Sequence, residues 1–183
     1  MAKRQSLKEL QERLAQRLSV AKTEAVTAAW LAVECNGSRY LLPLVQSGEI
    51  FPWSAVQRVP YTKPWYLGVA SLRGGLHGVI DLAALVKSSV PDETSQALRA
   101  QSERITSESR LVSLHTALGV NAVIWIDRLL GLRSAAMFGG FGPSPDGAPP
   151  YFNRSLTDNQ GLQWQELDLQ VLVGEPEFLA IAA

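Results

Sequence analysis

The chain has 183 residues, of which 46% are hydrophobic, and its 17 basic and 17 acidic residues give a formal net charge of zero. This length and composition predict one sizeable core, or two small barrels that share one, and argue against general disorder. Without a surplus of basic residues, neither nucleic acid nor a membrane surface is an expected partner. The single cysteine, Cys35, excludes an internal disulfide, and we expect it in the core.

Targeting and membrane-spanning signals are not recognisable in the sequence. The Met-Ala-Lys-Arg start is followed by polar residues and lacks the apolar core of a signal peptide. The longest uncharged run, Leu111 to Ile126, contains Ser113, His115 and Asn121, so it is too short and too polar to cross a bilayer. We therefore expect a cytoplasmic protein.

The first 28 residues predict a helical extension, with a helix from Ser6 to about Ala25. Ser6-Leu-Lys-Glu9 fits a capping box, in which the two side chains satisfy backbone N–H groups at the helix start. Leucines then recur at helical spacing and form one narrow apolar stripe: Leu7, Leu10, Leu14 and Leu18. Such a stripe must pack on something, either on the chain's own domain or on a partner.

From Trp30 the hydrophobic period changes to that of β-strands. An Asn36-Gly37 pair between two apolar runs is a strong hairpin signal. Short strands at this spacing predict a closed barrel or a sandwich rather than a parallel sheet. In the first half we expect strands at Trp30 to Cys35, Arg39 to Leu44, Val45 to Ile50, Ala55 to Val59 and Val69 to Leu82.

A polar segment, 87–109, with a short helix after Pro91, is interpreted as a linker between two halves of a domain over residues 29–183. Val123-Ile-Trp-Ile126 is apolar on both faces, which predicts a strand at the centre of the molecule. Residues 139–150 are rich in glycine and proline and predict a loop. The expected strands of this half are Leu111 to Thr116, Val120 to Leu130, Tyr151 to Leu156 and Gly161 to Glu166.

One heptapeptide pattern occurs twice. Ile80-Asp-Leu-Ala-Ala-Leu-Val86 matches Leu167-Asp-Leu-Gln-Val-Leu-Val173, each at the end of a series of strands. Asp81 and Asp168 can each cap the helical turn that follows. The repeat favours two similar halves, each closed by a capped turn.

The most informative stretch is the predicted hairpin from Gly68 to Leu82. Gly74-Gly75 has the composition of a tight turn, because glycine accepts the positive φ that two-residue turns require. Arg73 stands at the end of the first strand with no acidic residue near it in sequence. An arginine on a rigid turn suits a protein contact, and the alternative is an ordinary solvated side chain.

Ser71, His77 and Asp81 lie close enough in sequence to raise the question of catalysis. If Gly74-Gly75 is the turn, Leu72 pairs with His77, so the imidazole points away from Ser71. A serine nucleophile could not reach that base, and His115 lies in an apolar run without a partner signature. We expect no catalytic site.

Cofactor and metal sites are not expected either. Gly139-Gly-Phe-Gly142 is followed by prolines and not by a helix that could hold phosphate. Two histidines and one cysteine at unrelated positions make no metal site. The scattered carboxylates are interpreted as caps and strand-end residues: Glu34, Glu49, Asp127 and Asp168.

The motif Gly68-Val-Ala-Ser-Leu-Arg-Gly, with Val79-Ile-Asp-Leu after it, closely resembles the signature of the CheW family. Glu49-Ile50, Trp125-Ile-Asp127 and Gly131-Leu132 fall where that family carries similar elements, and the resemblance runs from about Trp30 to Ile181. The helical lead-in, Glu49-Ile-Phe-Pro52 and Arg128-Leu-Leu-Gly-Leu-Arg133 resemble the CheW-like proteins of twitching-motility systems.

The resemblance implies an all-β fold with minor α: two five-stranded, SH3-like β-barrels around a shared core. It implies a non-catalytic adaptor that couples a methyl-accepting chemoreceptor to the regulatory domain of a CheA-type histidine kinase, without cofactor. In the family, the arginine of the Leu-Arg-Gly motif matters for receptor contact, which transfers to Arg73 with its neighbours Leu72 and Gly74. Ser47 and Leu111 fall at positions where the family often has valines that face the receptor groove.

Two serines depart from the family pattern. Ser71 replaces the usual asparagine, and Ser47 is polar where an apolar contact is common. A small-molecule-sensing β-barrel and a structural interaction module of the pilus machinery remain as alternative functions. A ligand-induced shift in melting temperature would favour the first, and failure to bind a kinase would favour the second.

Overall fold

The computed structural model describes residues 29–87 and 103–183. The predicted helix from Ser6 to Ala25 and the one after Pro91 lie outside these residues. Most of the described chain is β-structure, and its strands follow in order: β1 Trp30–Cys35, β2 Ser38–Pro43, β3 Ser47–Pro52, β4 Tyr66–Leu72, β5 Gly75–Asp81, β6 Arg110–Leu114, β7 Ala122–Ile126, β8 Arg128–Arg133, β9 Phe138–Pro143, β10 Phe152–Asp158 and β11 Gln163–Leu167.

Short α-helices follow the last strand of two strand series. Helix α1 (Leu82–Lys87) follows β5, and α2 (Leu169–Gly174) and α3 (Pro176–Leu179) follow β11. The two halves of the predicted repeat therefore have the same local structure. In both, an aspartate at the end of a strand (Asp81) or directly after it (Asp168) accepts hydrogen bonds from N–H groups of the first helical turn, which confirms the predicted caps.

The strands form two sheets, which confirms the predicted all-β fold with two barrels, but one sheet has six strands and not the predicted five. The six-stranded sheet has the order β8-β1-β2-β11-β10-β9, and the five-stranded sheet has the order β3-β6-β7-β5-β4. Each sheet takes strands from both sides of segment 88–102, so the chain does not divide into one sheet before that segment and one after it.

Both sheets curl into barrels around their own apolar interiors. In the five-stranded sheet, Phe51 from one edge strand packs in one cluster with Ala70 and Leu72 from the other. In the six-stranded sheet, Leu130 of β8 and Phe138 of β9, again from opposite edges, share a cluster. A third and larger cluster lies between the sheets and includes side chains of α1, α2 and α3.

Strand β7 shows why this core is shared. Val123 and Trp125 point into the five-stranded barrel, whereas Ile124 and Ile126 point into the cluster between the sheets. Because successive side chains of a strand alternate faces, only a strand that is apolar on both faces can serve both clusters. All five residues of β7 are buried, and the predicted central strand is confirmed.

Three predicted elements were wrong. Residues 55–59 form no strand, and only Gln57 pairs there, with Val69 of β4. The single strand expected from Val120 to Leu130 is two strands in different sheets, and the chain crosses between the sheets at Asp127. Five of the twelve residues of the expected glycine–proline loop belong to β9, because an edge strand paired only with β10 tolerates glycine and a terminal proline.

One buried carboxylate fixes the interior of the six-stranded barrel. Glu166 is 5% exposed and accepts hydrogen bonds from Trp30 Nε1 at 2.6 Å, Asn153 Nδ2 at 3.0 Å and Arg154 Nε at 2.6 Å. These donors come from β1 and β10, so the carboxylate ties three strands together. A buried charge is tolerable only with such partners.

Candidate partner-binding surface

The turn of the β4–β5 hairpin lies one residue earlier than the sequence predicts. Leu72 pairs with Gly75, so Arg73 and Gly74 are the two turn residues, with φ of +47° and +81°. Two consecutive positive φ values are the requirement of a type I′ turn, which matches the twist of the strands. Gly75 is a strand residue, where a Cβ would lie 3.0 Å from His77 Cε1, so its glycine gives the imidazole room.

Arg73 therefore stands at the tip of the hairpin and not at the end of its first strand. Its guanidinium forms a salt bridge to Glu49 of β3, with Nη1 2.8 Å from Oε2, and lies over the ring of Phe51 at 5.8 Å from the centroid. The sequence offered no acidic neighbour, because Glu49 reaches Arg73 only when the two edges of the barrel curl together. The Arg73 side chain is nevertheless 76% exposed.

The surface around Arg73 is partly apolar. Ile50, the neighbour of Glu49 in β3, is 41% exposed, and Leu76 of β5 is 61% exposed. The exposed salt bridge holds the guanidinium weakly, since such pairs contribute about 0–1 kcal/mol. A partner carboxylate or carbonyl can thus compete for Arg73 at little cost.

The other predicted site residues are placed differently. Leu72 and Leu111 are 6% and 0% exposed and belong to the interior cluster of the five-stranded barrel, beneath the surface that carries Arg73. Ser47 is also buried, and its hydroxyl donates to the Pro43 carbonyl at 2.9 Å. Gly74 is exposed, with no atom within 4 Å of a Cβ built there.

Ser71 and His77 lie on opposite faces of the hairpin, as the sequence predicts. The observed partner of His77 is Ala70 and not Leu72. That difference is two residues, an even number, so each side chain keeps its predicted face. His115 caps a short 3₁₀-helix, where its Nδ1 accepts the Ala117 N–H at 3.2 Å.

An ion-pair cluster that the sequence analysis missed lies between the sheets. Arg104 Nη1 donates to both carboxylate oxygens of Asp81 at 3.0 and 3.1 Å, while its Nη2 and Nε donate to Asp127 at 2.8 and 3.3 Å. The guanidinium also lies 4.3 Å from the ring centroid of Trp125. Asp127 Oδ2 accepts the Asn36 N–H of the β1–β2 turn at 2.5 Å, so the cluster joins both sheets.

Electrostatics agree with this geometry. Burial alone would lower the pKa of Arg104, but the hydrogen bond to Asp127 and the charges of Asp81 and Asp127 raise it above its ordinary value. Burial, and then the same two carboxylates, raise the pKa of the Cys35 thiol. Cys35 is 1% exposed, as expected for a core residue. No sequence signal marked Arg104, because its two partners are 23 residues away on either side.

Membrane and metal features were sought in the same residues. Across residues 29–87 and 103–183, no helix is long and apolar enough to span a membrane. That part of the chain also contains no group of three or more histidine, cysteine, aspartate or glutamate side chains placed to hold a metal ion.

Comparisons with known proteins agree with the fold. The family model for the CheW-like domain matches residues 29–177, so the chain belongs to the CheW-like family. The crystal structure of the scaffolding protein TtCheW from Thermoanaerobacter tengcongensis is similar in fold, with a TM-score of 0.61 and 15% sequence identity. The match covers 82% of this chain and 95% of TtCheW. Among curated proteins, none matches this chain in sequence.

Proposed function

We propose that this chain is a non-catalytic adaptor that couples a methyl-accepting chemoreceptor to the regulatory domain of a CheA-type histidine kinase. Membership of the CheW-like family supports a scaffolding role. Signal would pass by contact, because a receptor that binds one state of the complex more tightly shifts the kinase toward that state. The adaptor would work in the cytoplasm, recruited to membrane-associated receptor arrays.

The observation that carries the proposal is the presentation of Arg73. A positive-φ turn fixes the position of its backbone, and one exposed salt bridge and one aromatic ring orient its side chain. The planar guanidinium is thus pre-organised for a carboxylate or carbonyl of the receptor's hairpin tip. Gly74 leaves open space beside it, and Leu72, Leu111 and Ser47 hold the surrounding strands in place.

We further propose that the adaptor serves a twitching-motility system of type IV pili, in the manner of PilI. The sequence features that support this are Glu49-Ile-Phe-Pro52, which includes the salt-bridge partner of Arg73, and Arg128-Leu-Leu-Gly-Leu-Arg133, which is β8. Co-purification from native cells tests this directly. A pilus-system receptor and kinase should be recovered, and recovery of only flagellar chemotaxis partners would contradict the assignment.

Charge reversal at Arg73 tests the receptor contact. Arg73→Glu should weaken binding to a purified receptor hairpin fragment by at least about tenfold, because an interface anchor of this kind contributes on the order of 2 kcal/mol or more. Binding to the kinase regulatory domain should be unchanged. Arg128→Glu is the control, since Arg128 is also an exposed arginine in salt bridges, with Glu34 and Glu108.

A charge swap separates a contact from a structural effect. Arg73→Glu combined with Glu49→Arg restores an ion pair across the barrel edge but moves the guanidinium off the turn. If Arg73 touches the receptor, the swap should not restore binding. Restored binding, or receptor affinity that survives Arg73→Glu alone, would show that the proposed anchor is wrong.

A further inference from the structure

A second exposed feature of the five-stranded barrel is Tyr61, in the loop between β3 and β4. Its side chain is 90% exposed, the largest fraction among the large hydrophobic residues that the structure describes. Its φ is +59°, in the left-handed region where a bulky residue is an outlier. The exposed ring buries little surface and the backbone is strained, so the stability of the fold does not explain a tyrosine at this position.

Residues 181–183 hold the loop in this strained conformation. The Ala183 N–H donates to the Tyr61 carbonyl at 3.0 Å, and the Lys63 N–H donates to the Ile181 carbonyl at 2.9 Å. Thr62, between them, forms an isolated β-bridge to the same segment. A strained residue persists only where its surroundings over-determine it, and such residues concentrate at functional sites.

The two paired segments carry four exposed apolar residues, here together named the Tyr61 patch: Val59, Tyr61, Leu179 and Ile181. The other three members are 37%, 60% and 37% exposed. Two cations, Arg58 and Lys63, flank Tyr61 in the loop, and neither takes part in the salt bridges between described residues. An aromatic anchor near cations that have no salt bridge to the described residues fits an apolar pocket edged by carboxylates.

The Tyr61 patch is well separated from Arg73. The Tyr66 N–H donates to the Lys63 carbonyl at 3.0 Å, so the loop sits at the start of β4, whereas Arg73 directly follows its end. Seven extended residues span about 20 Å. An adaptor that couples two proteins must bind both at once, and two surfaces at opposite ends of one strand allow that.

We propose that the Tyr61 patch binds the regulatory domain of the CheA-type kinase, with Tyr61 as the anchor, an inference that rests on the adaptor function proposed above. The ring inserts into an apolar pocket of that domain, and the cations of Arg58 and Lys63 face carboxylates at the pocket edge. Receptor and kinase then occupy opposite ends of the five-stranded barrel.

Tyr61→Asn is the decisive variant, because asparagine accepts positive φ and removes only the ring. Its melting temperature should equal or exceed that of the wild type. Its affinity for the purified kinase regulatory domain, measured by titration calorimetry, should fall at least about tenfold. Tyr61→Phe keeps the ring and should bind almost as tightly as the wild type.

The same variants are titrated with a receptor hairpin fragment. Tyr61→Asn should keep its receptor affinity, and Arg73→Glu should show the reverse pattern. Wild-type kinase affinity in Tyr61→Asn would overturn the Tyr61 patch proposal and leave the adaptor function standing. Loss of both partners in Tyr61→Asn would overturn it too, since the residue would then act through the fold. If the wild-type chain binds no kinase domain, the adaptor function itself fails.

Discussion

The two strand-to-helix junctions of this protein, β5–α1 and β11–α2, share a sequence pattern but not an environment. Asp81 accepts the Ala83 N–H at 3.1 Å, and Asp168 accepts the Gln170 N–H at 2.9 Å. Asp81 is fully buried and also binds a guanidinium, whereas Asp168 is half-buried.

The second partner of each aspartate makes the difference. Asp168 accepts a hydrogen bond from the neutral amide of Gln46 at 3.1 Å, and Gln46 in turn accepts the Leu169 N–H at 2.7 Å. Asp81 instead shares Arg104 with Asp127, where the chain crosses between the sheets. One junction thus has a simple cap, and the other adds a charge cluster that joins the sheets.

The largest expected effect is at Asp81. Asparagine is as good a helix cap as aspartate, so Asp81→Asn removes mainly the ion pair and leaves part of the Arg104 charge uncompensated. We expect the free energy of unfolding to fall by about 3 kcal/mol, measured by urea denaturation. Asp168→Asn is the matched control and should lose only a few tenths of a kcal/mol. Equal losses at the two positions would contradict the distinction.

Arg104 provides the second test. Arg104→Met leaves Asp81 buried without its cation and should lower the free energy of unfolding by about 2–3 kcal/mol. The double variant with Asp81→Asn should cost less than the sum of the two single changes, with a coupling of about 1–2 kcal/mol. Additive losses would mean that the two residues stabilise the fold independently. Arg128→Met, at an exposed ion pair, serves as control.

Alkaline pH should lower the free energy of unfolding through Tyr151. This residue lies beside the β11–α2 junction, where its backbone carbonyl accepts the Asp168 N–H at 2.8 Å. Burial, and then the charge of Glu177, raise the pKa of the Tyr151 phenol. Its protonated form is therefore favoured in the folded state, and that stability is present below the ordinary pKa and lost as the pH rises above it. The wild type should lose up to about 1.4 kcal/mol per pH unit above roughly pH 10 from this group. The Tyr151→Phe variant should lose less stability above pH 10 in urea denaturation. A dependence of stability on pH equal to that of the wild type would contradict this role of Tyr151.

Removal of the Asp168 cap should have a smaller effect on stability. Asp168→Ala takes away the acceptor of two N–H groups of α2, and about 1 kcal/mol of stability should be lost. Thermal unfolding followed by circular dichroism measures it. A loss as large as that of Asp81→Asn would show that Asp168 also has a role between the sheets.

The smallest stability effect is expected at Arg73. Arg73→Glu breaks an exposed ion pair and places two carboxylates side by side, which should cost less than about 1 kcal/mol. Urea denaturation should therefore show an almost unchanged stability, while receptor affinity falls at least about tenfold. A large fall in stability would mean that Arg73 supports the fold and does not serve mainly as a contact.

Local signals in the sequence determined much of this molecule. Alternation of apolar residues located most strands, the apolar run of β7 placed it at the centre, and Asp81 and Asp168 were identified as caps. These features depend on neighbours within a few residues. The observed β4–β5 register differs from the predicted one by two residues, so Ser71 and His77 keep their predicted faces.

Tertiary structure decided what depends on residues distant in sequence. The curl of the five-stranded sheet brought Glu49 to Arg73, and the packing of the two sheets joined Arg104 to Asp81 and Asp127. Three residues that the family resemblance had placed at the partner surface are buried: Leu72, Leu111 and Ser47. It also assigned the strands on either side of Asp127 to different sheets. Barrel closure and sheet crossing are global properties, because they follow from how all the apolar faces are buried together.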